Sequence, residues 1–288
     1  MPMHRARLHD GASIEVEVRG AGPAVLLPVN PRPVEGPQAD AMREWGVDPA
    51  LGRGLVDGLA DEYRVVAFDY EGHVFATPKP HTLTPANVVR DMLAVADAAG
   101  VDRFAWYGYS WLALSGLQIA IRTDRLWALA MGGFPPIGGP YAEMLQVTLA
   151  THRMATEPRP VPTPSGAGPS PDEIDWSTVE TGVSEPQARQ FVTLYEALQG
   201  FDDAAVQPRL TCPRLCFAGS ADEIEYGERW GGVHVSMAGP LAGRRAELEA
   251  HGWQVHVLPG LDHTSAMQVT NVLPVLRPWL AAAAELIC

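Results

Sequence analysis

The sequence predicts an α/β protein with a mostly parallel central sheet flanked by helices, an N-terminal antiparallel hairpin and a helical insertion. Three observations carry this expectation. Short apolar runs beginning at Ala24, Tyr63, Phe104, Leu126, Pro213 and Trp253 alternate with stretches of helical spacing. Continuous apolar runs of that length read as strands buried on both faces, and their alternation with helices reads as successive parallel βα units. Asp10-Gly11, between two alternating runs, is a tight-turn signal for a hairpin. Between residues 135 and 208 the alternation stops and proline accumulates, so a separate layer is expected there.

In chain order, His4–His9 and Ser13–Arg19 form the expected hairpin, and A-V-L-L-P-V (Ala24–Val29) the first buried strand. Residues 36–62 read as irregular and then helical, with Trp45 and Leu55–Leu59 packing on the sheet. Tyr63–Asp69 is the next strand and runs into a loop, Y-E-G-H-V-F-A-T-P. Thr84-Pro85 is an N-cap followed by proline at the first helical position, which starts a helix to Ala99. After the strand from Phe104 and the helix that follows it, Leu126–Met131 is a further strand. Helices are expected near Tyr141–Met154 and Pro186–Leu198. Glu157–Pro171 between them is too rich in proline to form helix or ladder, and reads as a loop or lid. Pro213–Ala218 is a strand, Pro240–His251 a helix, Trp253–Leu258 the last strand, and Ala266–Leu286 the closing helix.

The chemistry centres on Asp102–Gly116, D-R-F-A-W-Y-G-Y-S-W-L-A-L-S-G. An apolar strand reaches Gly108, Ser110 stands two residues on, and helical spacing begins at Trp111. A serine on so tight a strand-to-helix turn has a strained backbone and a hydroxyl projecting beyond the sheet edge beside a helix N-terminus. The free N–H groups and dipole there favour negative charge developing on an attacked carbonyl. This stretch resembles the nucleophile elbow of the α/β-hydrolase family, Gly-x-Ser-x-Gly, with Leu112 in place of the final glycine. D-Y-E-G-H, with Asp69, Gly72 and His73, resembles a loop of the same family whose Asp and His hold it by hydrogen bonds.

The resemblance extends to most of the chain and is weakest at 28–60 and across the insertion. It implies an α/β-hydrolase fold, with a core of residues 1–134 and 209–288 and a helical, Pro-rich cap at 135–208. Met144, Trp176, Phe191 and Tyr195 then roof an apolar site or pack the cap's own core. It implies a catalytic set of Ser110, Asp222 and His263, in the family's chain order and each following an apolar strand. Glu223 and Glu225 are alternatives to Asp222. The oxyanion hole falls to the N–H of Trp111 and to a donor near Asn30. An ungapped alignment puts Pro31, which has no N–H, at the donor position. Either the Asn30 backbone, after a one-residue slip, or the Asn30 side-chain amide would then donate, or the hole is incomplete.

The implied activity is a serine hydrolase for a carboxylic ester, lactone or thioester of a small to medium, fairly apolar molecule. Alternatives are an acyltransferase or cyclase of secondary metabolism using the same acyl-enzyme, or a degenerate hydrolase that only binds ligand. Ser at the elbow argues against the epoxide and halide hydrolases of this fold, which carry Asp there.

Composition narrows the partners. The 288 residues carry a net charge of −13, with no basic cluster to offset phosphate repulsion. We therefore expect a small-molecule substrate, no nucleic acid, no membrane and, at most, further copies of the chain as partners. The apolar fraction of 47% suits a sizeable core. No run reaches the ~18 apolar residues of a membrane span. No secretory signal is visible, and Cys212, Cys216 and Cys288 read as free thiols, so a cytoplasmic protein is expected. No nucleotide-binding or metal-ligand pattern is present, and no cofactor is expected.

Overall fold

The computed structural model describes residues 3–44, 46–157 and 182–286. Trp45, Trp176, Cys288 and all but the first residue of Glu157–Pro171 lie outside these. An eight-stranded sheet forms the centre, with spatial order β1 (Met3–Arg7), β2 (Ser13–Arg19), β4 (Arg64–Ala67), β3 (Ala24–Leu27), β5 (Phe104–Tyr109), β6 (Leu126–Gly132), β7 (Arg214–Gly219), β10 (Trp253–Leu258). Strands β1 and β2 pair antiparallel around Asp10-Gly11, β2 pairs antiparallel with β4, and every other neighbouring pair is parallel. This is the expected architecture. A separate short hairpin joins β8 (Glu223–Glu225) to β9 (His234–Ser236).

Burial on both faces follows the pleat. Along β5, Phe104 and Trp106 enter one core, and Ala105 and Tyr107 the other; along β3, Leu26 and Val25 divide in the same way. Helices α4 (Pro85–Ala98) and α5 (Trp111–Ala120) cover the first face. Helices α2 (Leu51–Leu59) and α11 (Val269–Ala284) cover the second. Side chains two residues apart share a face, so an apolar run without polar interruption fits only such a doubly covered strand. Thr84 caps α4 as expected, its hydroxyl accepting from the Asn87 N–H.

Four expectations change. The first strand stops at Leu27, because Pro28 cannot donate to the ladder. The segment after Asp69 is a helix, α3 (Tyr70–Ala76), because the Asp69 carboxylate accepts from the Gly72 N–H and caps its first turn. Residues 240–251 form two short helices, α8 (Ala238–Gly243) and α9 (Arg245–Ala250), broken beside Gly243, a weak helix former. The closing helix divides into α10 (His263–Ala266) and α11, which tolerates Pro274 and Pro278. Residues 36–62 resolve into α1 (Pro37–Glu44) and α2.

Between β6 and β7, helices α6 (Tyr141–Thr156) and α7 (Glu185–Glu196) pack on one another. Gln187 and Gln190 of α7 donate side-chain hydrogen bonds to the carbonyls of Phe75 and Val74, tying α7 to the end of α3. No helix among the described residues is long and apolar enough to cross a membrane. Cys212 and Cys216 are free and buried, and burial pushes the Cys212 thiol up to about 11.

Leu26 is fully buried in the centre of the sheet. Leu26→Ala should lower stability by about 2–5 kcal/mol, read from urea unfolding. A loss below about 1 kcal/mol would contradict a close-packed core on that face.

Candidate active site

Ser110 directly follows β5 and is the N-cap of α5, with φ 55° and ψ −130°; among the described residues it is the one non-glycine at positive φ. Its N–H donates to the Gly132 carbonyl at 2.8 Å, and its own carbonyl accepts from Ala113 and Leu114 at 2.9 and 3.2 Å. The turn is tight enough that a Cβ on Gly108 would overlap the Leu112 carbonyl. The Trp106 indole donates to that same carbonyl at 3.1 Å. Gly116, one turn into α5, lies against the Trp106 ring. Gly108 and Gly116 thus carry the close strand–helix approach. The Leu112 side chain turns into the core, 6% exposed, and borders the cavity. That is how a leucine is accommodated where the resembled pattern has glycine.

The acid and base stand on neighbouring loops after β7 and β10. Asp222 is fully buried, and both its oxygens contact His263 Nδ1, at 3.0 and 2.9 Å. The two loops are zipped together: Ser220 N–H donates to Leu258 O, Ala221 N–H to Leu261 O, and Gly260 N–H to Ser220 Oγ. A capping box between Asp262 and Ser265 starts α10 at His263. Tyr109, next to Ser110, donates from its hydroxyl to the His263 carbonyl at 2.8 Å, and the two rings lie 5.1 Å apart. Burial pushes the Tyr109 phenol well above its usual value, so it stays a neutral donor. Glu223 and Glu225 bind His234 on the surface instead. Asp222 is therefore the carboxylate that meets the imidazole.

Ser110 and His263 border one cavity of about 580 Å³. Its outer wall comes from residues 28–55, including Val34, Met42, Val47 and Leu51, rather than from α6 and α7. A smaller cavity of about 220 Å³, also reaching Ser110, lies under α6 and α7 among Met144, Phe191 and Tyr195. Helices α6 and α7 thus border a secondary space, while a stretch that reads as irregular walls the main one.

Asn30 borders the main cavity. Its side-chain Oδ1 accepts from the Arg32 N–H at 2.9 Å, which leaves the loop pinned by an Asx turn. Among the described residues neither the Asn30 nor the Trp111 backbone N–H has an acceptor, and both residues border the cavity beside Ser110. Of the alternatives left open by Pro31, this arrangement favours the Asn30 backbone. Asp69 holds its segment as expected, but His73 does not: among the described residues its ring has no hydrogen-bond partner, and Nε2 is buried.

Sequence reasoning missed Glu71 and Tyr109. Glu71 is the second residue of α3, where an acid is an ordinary complement to the helix dipole, so the spacing carries no signal. It faces the main cavity and accepts from the Trp111 indole at 3.0 Å. By surface area Glu71 is exposed, and water reaches it through the cavity, so the burial of its carboxylate is partial. That burial raises its pKa above the usual carboxylate value, the Trp111 hydrogen bond opposing and the Asp69 charge adding to the rise.

No protein-family model matches the chain. RutD of Klebsiella pneumoniae (strain 342), to which carbamate hydrolase activity is provisionally ascribed, is 35% identical over 75 residues, which is 25% of this chain and 28% of RutD. The match thus spans little more than a quarter of that relative. A thermophilic esterase from Thermogutta terrifontis superposes over 99% of this chain and 100% of its own, with TM-score 0.62 and 19% identity. The enol-lactonase of Burkholderia xenovorans LB400 superposes over 96% and 99%, with TM-score 0.56 and 16% identity. Sheet order, elbow and these superpositions agree: the chain has the α/β-hydrolase fold.

Folded Glu71 keeps its proton in a pH window above 4.5 where the unfolded chain has released it, so stability falls as pH rises through that window. Glu71→Gln, which retains an acceptor for the indole, should therefore raise Tm slightly relative to wild type at pH 7, solvent screening of the exposed carboxylate keeping the gain small, and the gain should shrink towards pH 4. Scanning calorimetry at both pH values checks this; a gain largest at pH 4 would reverse the sign.

Proposed function

We propose that the protein is a serine hydrolase that cleaves a carboxylic ester, lactone or thioester of a small to medium, largely apolar molecule. The observation that carries this reading is Ser110 in its left-handed turn, on the same cavity as the Asp222–His263 pair. The names of the similar solved structures, an esterase and an enol-lactonase, support it.

In this reading the Ser110 hydroxyl attacks the substrate carbonyl while His263 Nε2 takes its proton. Asp222 accepts from Nδ1–H, fixes the tautomer and stabilises the imidazolium. The oxyanion of the tetrahedral intermediate receives the unpaired N–H groups of Trp111 and Asn30. His263 then returns the proton to the leaving oxygen or sulfur, and an acyl-Ser110 ester remains. Water, deprotonated by His263, hydrolyses that ester and regenerates the hydroxyl. Residues 135–208 act as the cap over the smaller cavity, and the protein works in the cytoplasm on a free small molecule.

A fluorophosphonate probe should add one adduct to wild type and none to Ser110→Ala, read by intact-protein mass. Absence of an adduct on folded wild type would sink the hydrolase reading. Once an ester substrate is in hand, Asp222→Asn should lower kcat by about 10⁴-fold, because the imidazole loses its held tautomer.

A further inference from the structure

Within the main cavity, the carboxylates and the imidazole are unequally occupied. Asp48 accepts from the Ala50 N–H and Asp69 from the Gly72 N–H, so both serve local turns. Asp222 holds His263. Each of Asp48, Asp69 and Glu71 keeps one oxygen with no partner among the described residues, but only Glu71 is held by a side chain of the elbow, the Trp111 indole donating to its other oxygen at 3.0 Å. Among the described residues no lysine or arginine borders this cavity. Glu71 is exposed on the cavity side, so a cation entering the cavity can reach its unpartnered oxygen.

The walls beside Glu71 supply a second recognition element. Phe75 lies one turn along α3 from Glu71, on the same helix face, and borders both cavities. Its ring is 5.7 Å from that of Phe191, which meets the Trp111 ring edge-on at 5.5 Å. An aromatic ring beside a carboxylate is chemistry that accepts an alkylammonium group; Phe75 supplies the ring, and Trp111 turns its N–H edge to Glu71. Trp111 links this corner to the elbow, because it follows Ser110 directly.

We propose that Glu71, with Phe75 and Trp111, forms an ammonium subsite, and that the substrate is an ester, lactone or thioester bearing a basic or quaternary nitrogen. This rests on the serine hydrolase reading for the reaction, but not for the binding. The nitrogen sits on Glu71 while the carbonyl reaches Ser110. An apolar molecule with one cationic end thus fits the cavity's walls.

The test compares p-nitrophenyl 4-(trimethylammonio)butyrate with its neutral isostere, p-nitrophenyl 5,5-dimethylhexanoate. Wild type should prefer the cationic ester in kcat/KM by about tenfold. Glu71→Gln should bring the ratio to one or below, and Glu71→Asp, which keeps the charge, should retain part of it. The two corresponding amides, titrated calorimetrically against wild type and Glu71→Gln, read the subsite without any reaction. Hydrolysis of both esters with the same ratio in wild type and Glu71→Gln overturns the subsite and leaves the hydrolase reading standing. Failure of both esters, with tighter binding of the cationic amide that Glu71→Gln abolishes, supports the subsite and overturns the ester chemistry. Equal binding of the two amides to wild type overturns the subsite whatever the esters do.

Discussion

The structure depends on one strained residue. A serine at φ 55° costs about 1–3 kcal/mol and persists only where its surroundings leave no alternative. Here the Gly132 carbonyl holds its N–H, the first turn of α5 holds its carbonyl, and Gly108 and Trp106 close the turn from below. Strand β5 lies between β3 and β6 inside the sheet, so none of these contacts depends on an exposed edge. The strain has a local consequence. It ends the strand and starts a helix within one residue, leaving the Trp111 N–H without an acceptor and Ser110 facing the cavity.

The placement of the imidazole depends on the same strand. Tyr109 connects β5 to the carbonyl of His263, and the loop carrying His263 is bonded to the loop carrying Asp222. A fully buried carboxylate needs a partner, since removing the charge from water is otherwise costly. Asp222 finds one in His263, so the pair is held by desolvation as well as by hydrogen bonds. Glu223, one residue on, has solvent and His234, and is not confined in this way.

Legibility in the sequence follows the number of constraints that bear on each residue. The strands were readable because both faces are buried and no polar residue interrupts them. Ser110, Asp222 and His263 each follow such a strand near a turn residue, and the structure brings Asp222 to His263 and sets His263 and Ser110 on one cavity. Segment 28–55 was not readable, because Val34, Met42, Val47 and Leu51 face a cavity, and cavity walls follow neither period two nor period 3.6. Leu112 looked like a fault in the elbow because a pattern records the residue and not its direction; it is the Leu112 carbonyl, not the side chain, that meets Gly108. Proline at position 31 looked like a missing donor, yet the unpaired N–H belongs to the residue before it.

Glu71 shows where reading by residue type reaches its limit. In the sequence it is one acid among 34 acidic residues in a chain of net charge −13. At a helix start it needs no special reason. Its distinction comes from a neighbour distant in sequence, Trp111 on the elbow, which donates to one of its oxygens, and from the cavity that both residues line. The same acidity of the chain favours approach of a cation over an anion from solution, an effect that weakens with salt. Long-range charge and local cavity then act with the same sign, and both would have to be reversed for this site to take an anionic ester.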